Sequence, residues 1–220
     1  YVDIISVLLL VVITKLLLEN NLNYYKLVSL FFILTFNHYA IALFSLVTLS
    51  ILARKNQLKS FLFPSSVGFI SGYIAIVFYL RLINFSGRSR LRFIFNDNVL
   101  NDSVNFISNN FLEFLWSGLL GTLFLLIYLS FFENWENTIK YYLVLSICIL
   151  GTSLGLDTSR IFSILLVPLV LKIIFDFGSN SKAKEINNKL VTFIVIASSL
   201  FFPRKIYLWS CKFIFSKYRK

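Results

Sequence analysis

The sequence predicts an all-α protein: a polytopic transmembrane helix bundle of about seven spans. Three observations carry that prediction. Hydrophobic residues make up 58% of the chain and charged residues only 14%, whereas a soluble domain carries about 25% charged residues. The mean hydropathy is +0.80. The apolar residues are gathered into runs long enough to cross a hydrocarbon core of ~30 Å as helices, which needs about 20 residues each. Backbone groups in lipid must be satisfied internally, so these runs are expected as helices rather than open strands.

Seven runs follow along the single domain 1–220. The first is 3–18, with Lys15 close enough to its end to snorkel to the interface. The second, 27–52, is long enough to tilt. The third is 61–80, where Pro64 suits a first helical turn. A polar loop, 81–110, carries Arg81, Arg88, Arg90 and Arg92 and then an Asn-rich stretch. The fourth run is 111–132, and the fifth and sixth are 141–156 and 161–177, with Pro168 expected to kink the sixth. The seventh, 190–202, ends at Pro203 and leads into a basic tail, 203–220. The chain opens on Tyr1 and holds no Met, so it reads as an N-terminally truncated fragment.

Small residues one turn apart let helix backbones approach closely in lipid. Gly68-x-x-x-Gly72, Ser117-x-x-x-Gly121 and Gly151-x-x-x-Gly155 are the three such pairs expected at helix contacts. The third would set the end of the fifth run against a neighbour just before Asp157.

The net charge is +11. The cations sit between apolar runs and in the tail, which fits bilayer orientation and anionic headgroups rather than nucleic acid. Membrane lipids are therefore the expected partners. One His and two Cys, Cys148 and Cys211, have no ligand spacing, so neither a metal nor another cofactor is expected. Walker A, Gly-x-Ser-x-Gly and His-Glu-x-x-His sequences are absent, which removes support for ATP hydrolysis, serine hydrolysis and zinc proteolysis.

Orientation is not settled by charge. Arg54, Lys55, Lys59, Lys182, Lys184 and Lys189 argue that their loops are cytoplasmic. Alternation then sends the 81–110 loop, the Asp157 junction and the tail to the other face, although these too are arginine-rich. Either the bias is overridden or the span count is off by one. The first reading is adopted, because arginines kept outside against the bias suit an anionic substrate.

The candidate catalytic residues are Asp157 and Arg160, lying between two apolar runs. Spacing of i, i+3 would put both on one helix face. Arg160 could then hold a phosphate through its planar fork, and Asp157 could orient it or take a proton from a hydroxyl. The same pair also fits a capped helix start with a snorkelling arginine. Arg88 and Arg90 are candidate substrate-binding residues, since in extended chain with Arg92 they make one basic strip. Asn37 and His38 are further candidates, because a polar pair within an apolar run faces the bundle interior or a water-filled cavity. Hydrogen bonding between helices explains that pair equally.

The stretch Leu156-Asp157-Thr158-Ser159-Arg160-Ile161-Phe162-Ser163, followed by an apolar run with Pro168, resembles a segment of bacterial inner-membrane proteins of surface-polysaccharide assembly, polymerase-like or glycosyltransferase-like. Pro203-Arg204-Lys205-Ile206-Tyr207-Leu208-Trp209 is similar to the segment after their last span. The resemblance implies a place in the bacterial inner (plasma) membrane and a polyprenyl-phosphate-linked sugar as substrate. A transporter or lipid flippase, and a non-catalytic membrane subunit, stay open as alternatives. Whether the chain is an enzyme, and its oligomeric state, are left open.

Overall fold

The structure, a computed structural model, describes residues 2–84, 99–119, 122–132, 134–153 and 158–179. Among them all regular structure is helical: α1 (Val2–Leu18), α2 (Tyr24–Leu52), α3 (Leu58–Leu82), α4 (Val99–Asn109), α5 (Phe111–Leu119), α6 (Thr122–Phe132), α7 (Trp135–Ser153) and α8 (Thr158–Ser179). Among the described residues, three helices are long and apolar enough to cross a membrane by length and composition: α2, α3 and the Ile161–Gly178 stretch of α8. Ile4–Leu18 and Thr122–Phe131 are shorter apolar helices. The outer surface fits a lipid setting, since Phe63, Phe78 and Leu112 are 65%, 63% and 78% exposed. The protein is membrane-embedded.

Helix α2 is not a straight rod. Asn23 caps its start, accepting from the Lys26 N–H at 3.2 Å. At His38 the backbone leaves the helical region, with φ −157° and ψ 87°. The Ile41 N–H then points at His38 Nδ1, 3.4 Å away. This is the geometry of an N-cap, in which an extended residue accepts from the third helical N–H. His38 therefore starts a second helix.

The contacts of α3 fix where that second helix goes. Tyr24 lies beside Phe63 (6.2 Å between ring centres), Phe31 beside Phe61 (5.9 Å) and Phe36 beside Tyr79 (6.2 Å). The first half of α2 and α3 thus run in the same direction. A straight α2 would be ~43 Å long at 1.5 Å per residue, too far for the short 53–57 connection to bring α3 back to its start. Residues 39–52 instead return along the bundle, and both ends of α2 lie together. The close approach rests on two glycines. A Cβ on Gly72 would sit 2.9 Å from the Phe32 carbonyl oxygen, and one on Gly68 would overlap the Val28 carbonyl.

The remaining helices complete an up-and-down arrangement. Phe114 stacks on Phe162 at 4.1 Å and Tyr128 meets Phe177 at 5.6 Å, so α5 and α6 together run alongside α8. The Tyr141 hydroxyl meets Asp176 while Cys148 donates to the Leu165 carbonyl at 3.3 Å, so α7 runs antiparallel to α8. The bundle has two ends. The finish of α1, both termini of α2 and the finish of α8 share one, called here the Gln57 end. The finish of α3, the start of α5, the finish of α7 and the start of α8 share the other, the Leu82 end.

Several expectations change. In the run 111–132 the structure describes α5 and α6, and residues 120–121 between them lie outside the described set. The expected polar loop 81–110 contains α4, whose Ser103 and Ile107 are buried at helical spacing. Pro64 falls in the second turn of α3 rather than the first, because the helix begins at Leu58. Gly118 makes a close contact in α5, against Phe162 and Leu166; the Ser117 side chain and Gly121 lie outside the described residues. Gly151 does pack closely, on Phe44 and Leu165. The run 190–202 and the tail lie outside the described residues.

Candidate functional site

Asn37 and His38 sit where α2 turns back. The Asn37 amide donates to Ser6 Oγ of α1 at 2.9 Å, and His38 caps the second half of α2. Both side chains are half-buried. Non-helical backbone at membrane depth survives only where protein or a water-filled cavity surrounds it, and here Ser6 closes one side. The pair therefore does the structural work of holding a turn. His38 does so with a ring nitrogen acting as acceptor.

Arg160 lies in the first turn of α8, which begins at Thr158, the residue after Asp157. The expected start at 161 is thus one turn late. Asp157, Arg88 and Arg90, and the side chain of Arg160, lie outside what the structure describes. What it does give is the placement of their flanking helix ends. Arg81 is in the last turn of α3 and Arg160 in the first turn of α8, both at the Leu82 end.

Sequence reasoning missed a third polar cluster. Lys172 Nζ lies 2.5 Å from Asp176 Oδ1, one turn along α8, and also bonds Oδ2. The Tyr141 hydroxyl of α7 donates to the same carboxylate. The two charged side chains are only 17% and 13% exposed. An unpaired charge in a helix centre costs about 2.5–3.5 kcal/mol on insertion scales, so this pair compensates itself within the bundle. Lys-x-x-x-Asp near the end of an apolar run reads as boundary charge. The i, i+4 spacing was the available signal, because it puts both groups on one face.

Lys172 also lines a shallow, solvent-open depression at the Gln57 end, shared with Arg54 and Gln57. Gln57 is itself buried and clamps that end: its amide donates to the Leu17 carbonyl at 3.2 Å and to Asn20 Oδ1 at 2.8 Å.

Comparison with known proteins finds no matching family, no matching curated relative and no matching solved structure.

Proposed function

We propose that the chain is an integral protein of a bacterial inner membrane that acts in envelope glycan assembly, handling a polyprenyl-phosphate-linked sugar at the Leu82 end. The observation supporting this reading is that α3 finishes and α8 starts at one end of the bundle. In sequence, the segment bearing Arg88 and Arg90 follows α3, and Asp157 precedes α8. In the reaction envisaged, an acceptor hydroxyl attacks the anomeric carbon and the bond from that carbon to the phosphate oxygen breaks. Asp157 takes the hydroxyl proton, and the leaving polyprenyl phosphate departs onto the guanidinium groups of Arg160, Arg88 and Arg90.

In the same reading all seven apolar runs are kept, but they do not all cross. The run 190–202 crosses, as do α1, α3, α5 with α6, α7 and α8. Helix α2 enters and leaves at the Gln57 end, since each half has about 14 residues, short of the ~17–25 needed to span. This moves Lys26 to the same side as Arg54 and leaves the 81–110 segment opposite. The arginines at the Leu82 end are then still kept against the usual bias.

The test is complementation in cells whose surface glycan depends on this chain. Arg160→Lys keeps the charge but loses the fork, so glycan should be lost. Normal glycan with Arg160→Ala would sink the proposal. A second reading, a transporter or flippase, is favoured by the polar seam of Ser6, Asn37 and His38. It predicts flux in proteoliposomes with no covalent change to the substrate.

A further inference from the structure

The depression at the Gln57 end combines two kinds of surface. Leu17, Leu18, Leu52 and Phe175 form apolar walls, and Arg54 and Lys172 bring positive charge to it. The two cations are not equivalent. Lys172 is compensated by Asp176. Arg54 has no acidic partner among the described residues, and the one acid of the neighbouring turn, Glu19, lies 3.8 Å from Lys15. The backbone carrying Arg54 is held from both sides: its N–H donates to Gln57 Oε1 at 3.3 Å, and the Gln57 amide is bound to α1. Around it Lys26, Lys55 and Lys59 are exposed at the same end, because α2 turns back. An uncompensated guanidinium on a fixed turn, above apolar walls at the end of membrane helices, matches an anionic amphiphile.

We propose that this depression seats the headgroup phosphate of an anionic membrane phospholipid. Arg54 grips the phosphate through its fork, and Leu18 with Phe175 takes the first methylenes of an acyl chain. The site lies at the opposite end from Arg160, so it stands apart from the glycan reading and can fail without it.

The test uses the full purified chain in nanodiscs of phosphatidylcholine with a minor fraction of phosphatidylglycerol, counting retained phosphatidylglycerol by native mass spectrometry. Arg54→Lys should lower retention by about ten-fold or more, the worth of roughly one charge-assisted hydrogen bond. Lys59→Gln, which removes a charge outside the depression, should change it by less than about two-fold. Wild-type retention by Arg54→Lys would overturn the proposal, since charge alone would then suffice. An equal loss in Lys59→Gln would overturn it as well, by showing diffuse attraction to the whole face. So would displacement of the lipid by inorganic phosphate alone, which would make this a site for a free anion.

Discussion

The Gln57 amide donates to the carbonyl of Leu17, 3.2 Å away and 40 residues earlier in the chain. That bond ties the turn after α2 to the end of α1, and it is possible only because α2 folds back at His38. A helix crossing straight through would carry those two groups to opposite ends.

Labelling from each side of the membrane tests this directly. In a chain with Cys148→Ala and Cys211→Ala, Asn21→Cys and Lys55→Cys should react with an impermeant thiol reagent from the same side. Asn84→Cys, beyond α3, should react only from the other. Opposite labelling of positions 21 and 55 would mean that α2 crosses.

The turn itself makes a second prediction. His38 acts as an N-cap, so His38→Ala should cost about 1 kcal/mol, the usual loss on removing a cap. His38→Asn, which can still accept from the Ile41 N–H, should recover most of it. Thermal melting in detergent gives the measurement. A loss of activity in both variants with unchanged melting would instead assign His38 to substrate.

The membrane class and most helix positions were legible in the sequence because they depend on local hydropathy. The reversal of α2 was not, since it needs unusual φ and ψ at a single residue. Asn37 and His38 marked the place as polar, but an apolar run carries no record of chain direction. Helix α4 was hidden by its asparagines, which suggest loop, although Ser103 and Ile107 recur at helical spacing. The Arg54 depression depends on Gln57 reaching α1, a contact no local pattern shows. The Gly68 and Gly72 pair was readable, because close backbone approach in lipid has few other solutions.

That pair gives the third prediction. Val28 and Phe32 present backbone, not side chain, to the missing Cβ atoms, so neither neighbour can swing aside. Gly68→Ala should destabilise the bundle by about 1–3 kcal/mol through overpacking. Gly178→Ala, where nothing lies within 4 Å of an added Cβ, should have little effect on the same melting curve. Equal melting of Gly68→Ala and wild type would show that α2 and α3 are not held as closely as the structure has them.

The Lys172–Asp176 pair separates compensation from net stabilisation. Asp176 holds Lys172 and receives the Tyr141 hydroxyl, so Asp176→Leu leaves a cation in a site with little solvent. The expected loss is about 3 kcal/mol, the lower end for breaking a buried pair, because the lysine stem can snorkel toward the Gln57 end. Lys172→Met with Asp176→Leu removes both charges and should return most of that stability. Tyr141→Phe removes one donor to a charged group and should cost about 1.5 kcal/mol in the wild type. It should cost nothing further in the double variant, where no carboxylate remains to accept. A double variant as unstable as Asp176→Leu alone would show that the pair contributes net stability rather than compensating itself. A double variant that melts like the wild type but loses flux or glycan would move the cluster from packing to function.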